Sequence, residues 1–271
     1  MKILLLDANN LIYRARYAAK FAREGDAAIV YSFFRSLKPL MEKFKPDKCY
    51  FVRDGAPSDR NEIFPGYKAN RERQLDENFL AQKRRIENIV LEILPITYCR
   101  NMNVEADDLI AHLVNEVHLE DECIVVSSDT DFVQLLQSHP NCQLYNPISK
   151  KFRDCPNYDY LTWKSLRGDT SDNIPGIPRV GDKTAEKLAL DSAKLESFLE
   201  KSENREIFDR NKKLISFRSF DHGETFISVQ QANFEKLLEI FTEYKFNSMV
   251  KDPYWNKYVK CFEGVLNESF A

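Results

Sequence analysis

The sequence has little that would support thiol chemistry or a membrane span. Its six cysteines lie far apart and no two form a Cys-x-x-Cys pair, which argues against a zinc ribbon or a redox motif and favours reduced thiols. The longest apolar runs are far shorter than the roughly 20 residues that cross a bilayer, and the chain starts without a targeting signal. These absences predict a cytoplasmic globular protein with no membrane contact.

Several familiar catalytic motifs are also missing. The four histidines share no pattern, so nothing resembles a Ser/His/Asp triad or a Cys/His pair. No glycine-rich loop has the spacing of a nucleotide-binding P-loop. Catalysis by an activated serine or cysteine is therefore not indicated, and neither is P-loop nucleotide hydrolysis.

Acidic residues are grouped within residues 103–132. Glu105, Asp107 and Asp108 stand together, and Asp129 and Asp131 follow about twenty residues later. Any one of them, taken alone, is more simply a helix-capping or solvated acid. As a group they need a counter-charge, because two anions about 4 Å apart repel by roughly 1 kcal/mol even in water. Ligands that are all oxygen favour Mg²⁺ or Mn²⁺ over zinc.

Further acids stand where predicted strands end. Apolar runs at residues 2–7, 48–52 and 122–127 alternate with helical patterns, which predicts an α/β fold with a parallel sheet. Asp7, Asp54 and Asp129 follow these strands, at the sheet edge where such folds bind ligands. The Gly168-Asp-Thr-Ser-Asp172 segment adds two more carboxylates. A group of this size suits two ions about 4 Å apart that clamp a phosphodiester and activate a water. The candidate metal ligands are Asp7, Asp54, Glu105, Asp107, Asp108, Asp129, Asp131, Asp169 and Asp172.

Basic residues are concentrated in two other segments. Residues 58–85 form a polar excursion that begins just after Asp54 and should overhang the metals, although a solvated basic face is the alternative. Residues 176–183 form a hairpin that enters a helix at Lys183, where glycines and helical N–H groups suit a phosphate, although an ordinary turn is the alternative. The formal net charge is −3 and the nine carboxylates carry −9, so the remaining charges amount to +6, which suits a polyanion. Residues 192–246 are expected to be helical without strands.

These motifs resemble the 5′-nuclease superfamily, which includes bacteriophage 5′→3′ exonucleases and flap endonucleases, the T-even phage ribonuclease H, and the exonuclease domain of bacterial DNA polymerase I. The matching motifs occur in family order over about two thirds of the chain. They are Leu6-Asp7-Ala-Asn-Asn10, Asp54-Gly55, Arg60, Pro65-x-Tyr67-Lys68-Ala-Asn70-Arg71, Val104-Glu105-Ala-Asp107-Asp108, Ser128-Asp129-x-Asp131-Phe132, Gly168-Asp169-x-x-Asp172-Asn173-Ile174 and Gly176 to Ala185.

The resemblance implies an architecture and a set of site residues. We expect a PIN-like parallel-sheet nuclease core over residues 1–160 with a helical arch at about 56–90, and a helical DNA-binding region over 161–271 with a helix-hairpin-helix element at about 168–190. It implies two Mg²⁺ ions, replaceable by Mn²⁺, held by the nine carboxylates directly or through water. The implied catalytic residues are Lys68, Arg71, Asp129 and Asp131, and the implied DNA contacts are Arg60, Tyr67, Lys68, Arg71, Arg73, Gly176, Arg179, Gly181, Lys183 and Thr184. The family hairpin also suggests a K⁺ site, but Arg179 stands at its middle glycine position and argues against one.

The resemblance also implies an activity. We expect a 5′→3′ exonuclease and 5′-flap endonuclease that acts on DNA, or on RNA–DNA hybrid, in replication and in the removal of primers or flaps. The expected setting is a monomer in the cytoplasm of a bacterial or phage-infected cell, with a single-strand-binding protein or a clamp as candidate partners. Two alternatives stay open: a PIN-type endoribonuclease, and a catalytically silent protein that binds DNA junctions. The arch segment and the hairpin argue against the first, and the complete carboxylate set argues against the second.

Overall fold

The computed structural model describes residues 1–20, 25–55, 58–71 and 76–266. Its main feature is a seven-stranded sheet with the strand order β6-β5-β4-β1-β2-β3-β9. The strands are β1 Lys2–Asp7, β2 Lys48–Arg53, β3 Thr97–Asn101, β4 Glu122–Val126, β5 Cys142–Asn146, β6 Lys151–Phe152 and β9 Thr225–Ser228, and a separate two-stranded sheet contains β7 Gly168–Asp169 and β8 Ile174–Pro175.

Helices cover both faces of the main sheet. They are α1 Ala8–Ala19, α2 Ala28–Phe44, α3 Ser58–Ile63, α4 Glu77–Glu92, α5 Ala106–His112, α6 Val133–Ser138, α7 Tyr160–Arg167, α8 Asp182–Ala189, α9 Ser192–Leu199, α10 Ser202–Ile215, α11 Phe234–Glu243 and α12 Tyr254–Lys260. Among the described residues, no helix is long and apolar enough to cross a membrane.

Strand β1 is the centre of the fold, and its side chains are buried on both faces. Leu4 and Leu6 pack in one core with α1, α2, α4, α11 and α12, whereas Ile3 and Leu5 pack in a second core with α5 and α6. Such a double covering explains why β1 is an unbroken apolar run rather than an alternating one. Because β1 pairs in parallel with both β2 and β4, the carboxyl ends of these three strands meet at one edge.

The structure confirms the α/β fold but corrects the expectation that residues 192–246 contain no strand. Strand β9 pairs antiparallel with β3, from Tyr98 opposite Ser228 to Asn101 opposite Thr225. Strand β6 is also antiparallel, so the sheet is parallel inside and antiparallel at both edges. After β9 the chain stays on the first core, where Phe241 and Tyr258 are buried. The region predicted as helical from residue 161 therefore includes a strand of the main sheet.

A smaller helical unit with its own core is formed by the part of the chain between β6 and β9. Leu166, Ile177, Ala185, Leu199 and Phe208 form this core, which joins α7, α8, α9 and α10. Helices α7 and α8 flank the β7–β8 hairpin, as the predicted helix-hairpin-helix element requires.

The arch segment is described in part. Residues 56–57 and 72–75 of the expected arch, and with them Arg73, lie outside the described residues. The described parts are α3, a turn at residues 65–70 and the long helix α4.

Candidate active site

Three carboxylates converge at the carboxyl ends of the central strands. Asp7 is the last residue of β1 and caps α1, and its carboxylate accepts hydrogen bonds from the Asn10 backbone N–H at 3.1 Å and the Ser127 hydroxyl at 2.7 Å. Asp54 directly follows β2 and accepts from the Ala106 backbone N–H at 2.7 Å. Asp129 follows β4. The parallel register therefore gathers acids that are far apart in sequence, as predicted.

The electrostatics around Asp7 favour a cation. Burial raises the pKa of Asp7 to about 7, and the charges of Asp54 and Asp129 contribute to this increase. No lysine or arginine within residues 1–20, 25–55, 58–71 and 76–266 forms an ion pair with any of these three carboxylates. A bound cation would relieve the repulsion, so the donor set and its charge both fit a hard divalent ion.

A buried arginine fixes the next pair of acids. Arg60, on α3, donates from Nη1 and Nη2 to the two oxygens of Asp108 at 2.9 and 2.8 Å, and from Nη1 to Glu105. Its Nε donates to the Leu214 carbonyl at 2.9 Å, which ties α3 to the end of α10. The side chains of Arg60 and Asp108 are 2% and 1% exposed.

This geometry describes the present partners of two predicted site residues. The guanidinium of Arg60 is enclosed and donates to acceptors within the protein, and its predicted contact with DNA stays a prediction. Asp108 is held in a bidentate ion pair and also accepts from the Arg218 backbone N–H at 2.9 Å, and its role as a metal ligand stays a prediction.

Replacing Arg60 with leucine should lower the free energy of unfolding by at least about 3 kcal/mol, because the buried charges of Glu105 and Asp108 lose their partner. Urea unfolding of the metal-free protein measures this change. Arg205→Leu, which removes an arginine from an exposed ion pair with Glu196, is the control and should have little effect. Equal urea midpoints for the two variants would show that the buried ion pairs of Arg60 do not stabilise the protein.

The base of the arch contacts Glu105. The Tyr67 hydroxyl donates to Glu105 Oε2 at 2.8 Å, and the Lys68 ammonium donates to Oε1 of the same carboxylate. Tyr67 is buried and points at Glu105, and its predicted contact with DNA stays a prediction. The Glu105 carboxylate therefore forms ion pairs with Arg60 and Lys68 and accepts a hydrogen bond from Tyr67. Glu105 is also the N-cap residue of α5.

Lys68 and Arg71 both reach the Gly168-to-Asn173 segment. Lys68 Nζ lies 3.7 Å from Asp172 Oδ2, and its backbone N–H donates to the Asp172 carbonyl at 2.8 Å. Burial lowers the pKa of Lys68, but the charges of Glu105 and Asp172 outweigh it and raise that pKa overall. Arg71 forms an ion pair with Asp172, and its side chain is 50% exposed. Both predicted phosphate-engaging residues thus stand at the carboxylates, and Arg71 faces solvent.

A second group of acids lies beside the first. Asp131, Asp169 and Asp172 each offer an oxygen, and these oxygens lie within 4.8 Å of one another. The two groups are linked, because the Asp131 backbone N–H donates to Asp129 Oδ1 at 2.9 Å. Burial raises the pKa of Asp131 to about 7. Burial also disfavours the charge on Asp169, but Lys164 and Ser171 overcome this effect and lower its pKa to about 2.

Lys164 is a site residue that the sequence reasoning missed. It lies on α7, and its ammonium donates to Asp131 Oδ1 and lies 2.6 Å from Asp169 Oδ2. One signal could have revealed it: Lys164 follows the buried Tyr160 by four residues, so a lysine stands on the core-facing side of the helix.

Asp107 stands apart from both groups in its contacts. Its Oδ1 lies 3.7 Å from Arg60 Nη1 and accepts from the Asp108 backbone N–H at 2.8 Å. Burial and the neighbouring Asp108 raise the pKa of Asp107 well above its usual value. Its role as a metal ligand stays a prediction.

Residues 176–184, the hairpin of the sequence analysis, directly follow the paired strands β7 and β8 and present a polar surface. Arg179, Gly181, Lys183 and Thr184 are exposed, and α8 begins just after Gly181, so these residues remain available for the predicted phosphate contact. Gly176 has a different role, since a Cβ there would lie 2.0 Å from the Arg167 carbonyl oxygen, and only glycine lets the hairpin close against α7. Arg179 adopts a φ of 67°, the left-handed region that glycine occupies most easily. This conformation fits its position as the substitute for a family glycine.

Divalent metal should stabilise the protein more at high pH than at low pH. The pKa values of Asp7 and Asp131 are raised to about 7, so below pH 4 both groups are protonated whether folded or unfolded. Between pH 4 and 7 the folded state keeps protons that the unfolded state releases, so this contribution to stability declines as pH rises. Metal binds the deprotonated form and offsets the decline. The increase in melting temperature on adding MgCl₂ should be several-fold larger at about pH 8 than at about pH 5.5. Equal increases would contradict metal binding by these two carboxylates.

Comparison with known families and structures shows the family and the fold of this chain. Residues 2–160 match the 5′-3′ exonuclease N-terminal, resolvase-like domain, and residues 156–245 match the 5′-3′ exonuclease C-terminal SAM fold. DNA polymerase I of Treponema pallidum is 37% identical over 69% of this chain, and the thermostable DNA polymerase I of Thermus aquaticus is 33% identical over 73%. The chain spans only 20% and 25% of the length of these two relatives.

Solved structures share the fold at low identity. A bacteriophage T5 flap endonuclease, in a pseudo-enzyme–product complex with DNA and metal ions, superposes with a TM-score of 0.63 at 17% identity, covering 97% of this chain and 100% of that one. A T5 5′-exonuclease with bound zinc ions gives 0.62 at 19% identity, covering 79% of this chain and 89% of that one. With the two domain matches over most of the chain, we conclude that this protein belongs to the 5′-3′ exonuclease family.

Proposed function

We propose that this chain is a divalent-metal-dependent nuclease that hydrolyses phosphodiester bonds of DNA at a 5′ end or at the junction of a 5′ flap. Mg²⁺ is the proposed physiological ion, and Mn²⁺ should replace it. One observation carries the proposal: oxygens of Asp131, Asp169 and Asp172 lie within 4.8 Å of one another beside the acids that end the central strands. Asp7, Asp54 and Asp129, which end those strands, have no lysine or arginine partner in the described part of the chain, and carboxylates so concentrated are unfavourable without a cation.

The carboxylates fit two ions better than one. Asp7, Asp54 and Asp129 would hold one ion, and Asp131, Asp169 and Asp172 would hold the other. When bound, such ions polarise the phosphodiester and supply an activated water. The oxygen-only donor set supports Mg²⁺ or Mn²⁺ over softer metals.

Lys68 and Arg71 are proposed to bind the scissile phosphate. Both already contact acids of the site, and phosphate oxygens are acceptors of the same kind as the carboxylates that these residues now engage. Because Arg71 is half exposed at the edge of the site, a phosphate can reach it without rearrangement of the core.

The hairpin is proposed to hold the duplex away from the site. Arg179 and Lys183 are exposed at the start of α8, where helical N–H groups face outward, and this combination binds phosphate without reading sequence. The T5 flap endonuclease complex with DNA, and a structure of the Rad2 catalytic core with a DNA substrate at a TM-score of 0.57 and 15% identity, support this substrate class.

A panel of labelled substrates tests the proposal. We expect a 5′-flap duplex to be cut near its junction in Mg²⁺ and to stay intact in EDTA, with the downstream product carrying a 5′-phosphate. A 3′-flap duplex and single-stranded RNA are the comparison substrates and should be cut poorly. Cleavage of the RNA alone would support an endoribonuclease instead, and tight binding of the flap without cleavage in Mg²⁺ would support a silent junction binder.

A further inference from the structure

The carboxylates of the site divide into two sets by the partners they already have. Asp7, Asp54 and Asp129 form no ion pair with any lysine or arginine in the described part of the chain. The other set is matched with the protein's own cations: Glu105 with Arg60 and Lys68, Asp108 with Arg60, Asp131 and Asp169 with Lys164, and Asp172 with Arg71. At the first proposed ion position the negative charge of the carboxylates is therefore not balanced by a lysine or arginine. At the second position it is balanced by side-chain cations.

Lys164 is the most central of these cations. Its side chain comes from α7, outside the main sheet, and is 5% exposed. The ammonium bonds to Asp131 and lies 2.6 Å from Asp169 Oδ2, so it bridges two of the three residues whose oxygens lie within 4.8 Å of one another. A lysine so enclosed has no alternative acceptor in water and is held by these two carboxylates.

An ammonium and a divalent ion require the same oxygens. A Mg²⁺ or Mn²⁺ ion bound by Asp131 and Asp169 would lie within a few ångströms of the Lys164 charge, and two cations at that distance repel strongly in a buried site. The second ion can therefore bind only if Lys164 releases at least one of its two carboxylates.

We propose that Lys164 is the resident counter-ion of the Asp131–Asp169 pair, and that it competes with the second divalent ion. This inference rests on the proposed metal-dependent function. In the metal-free protein Lys164 keeps the two carboxylates in place despite their repulsion. It also makes the second ion bind more weakly than the first. Lys164 is thus a positioning residue that sets the metal affinity of one half of the site.

The acids of the second ion position would then lose their side-chain cations when substrate binds. Lys68 and Arg71 cover Asp172 in the same way that Lys164 covers Asp131 and Asp169. A phosphate that draws Lys68 and Arg71 toward itself frees Asp172 to share a metal ion. The second ion should therefore bind more tightly in the presence of DNA.

Calorimetric titration of Mn²⁺ into the metal-free full chain, without DNA, tests the inference. Lys164→Met keeps most of the side-chain length and removes the charge, and we expect it to tighten binding of the second ion about tenfold while the first ion is unaffected. Lys164→Arg keeps the charge and should leave the second ion weakly bound. Lys38→Met, which removes a buried lysine paired with Glu42 on α2, is the matched control and should change neither affinity.

Unchanged or weaker binding of the second ion in Lys164→Met would overturn the counter-ion role, even if the first ion still binds and the proposed function survives. Absence of Mn²⁺ binding to the unaltered protein would instead overturn the proposed function. If Lys164→Met does not fold, the unaltered protein still gives an answer through the ¹⁵N signal of its buried lysine ammonium. Addition of Mg²⁺ should shift or abolish that signal, and a signal unaffected at saturating Mg²⁺ would contradict the competition.

Discussion

Replacement of Asp129 with asparagine should reduce the single-turnover rate of 5′-flap cleavage by about 10³-fold or more, the scale of effect seen when a group that stabilises transition-state charge is lost. The change removes a negative charge and keeps the shape of the side chain. Asp129 Oδ1 accepts from the Asp131 backbone N–H, and an amide oxygen can still accept that bond. The local fold should therefore survive while the first proposed ion loses a ligand.

DNA binding should persist in this variant, because the exposed hairpin residues are unchanged. Fluorescence anisotropy with a labelled flap duplex in Ca²⁺ measures binding, and a quenched time course in Mg²⁺ measures cleavage. Asp154→Asn, at an exposed acid in the loop after β6, is the matched control and should behave like the unaltered protein. A Mg²⁺-dependent rate for Asp129→Asn within a few-fold of that control would rule out Asp129 as a metal ligand.

Lys68→Ala should lower the single-turnover rate by about 10² to 10³-fold, as expected for loss of one preorganised positive group at the reacting phosphate. The effect should appear in the rate far more than in DNA affinity, because most of the duplex contact is proposed to come from the hairpin. Glu105 keeps Arg60 and Tyr67 as partners, so the site should not collapse when the ammonium is removed.

Two comparisons separate this role from a purely structural one. Lys68→Arg should recover part of the rate, because it restores a cation at the phosphate. Lys236→Ala, at a half-exposed lysine on α11 that pairs with Glu92, should leave the rate and the affinity unchanged. A Lys68→Ala variant that has lost thermal stability in proportion to its activity, or that cleaves at the normal rate, would contradict a direct role at the phosphate.

The sequence predicted the framework of the site well, for a physical reason. The apolar runs of β1, β2 and β4 are buried on both faces and therefore stand out as continuous strands. Because parallel strands align their carboxyl ends, the acids that follow them had to converge. The predicted α/β fold and the family are confirmed on this basis.

The charge pairing inside the site could not be predicted in the same way. Arg60 bonds to residues 45, 48 and 154 positions away, and Lys164 bonds to Asp131 across 33 positions. No local period relates such partners, so the sequence does not show that Arg60 pairs with Glu105 and Asp108 or that Lys164 pairs with Asp131. Whether Arg60 and Lys164 are buried beside these acids depends on how α3, α7 and α10 pack together, and no single segment determines that packing.

Strand β9 was missed because its own pattern is weak. Thr225–Ser228 has four residues, its Phe226 is exposed, and its pairing with β3 forms only after the chain has passed through the whole helical unit. Short edge strands of this kind are specified by the strand they join. The segment between helices therefore resembled a loop.

The most direct test of the metal centre is the location of bound Mn²⁺ by anomalous scattering in crystals of the full chain. We expect an anomalous peak at the oxygens of Asp7, Asp54 and Asp129 without DNA, and a second peak at Asp131, Asp169 and Asp172 in a complex with a 5′-flap duplex. Cleavage-competent crystals whose Mn²⁺ lies away from both groups of carboxylates would contradict this expectation.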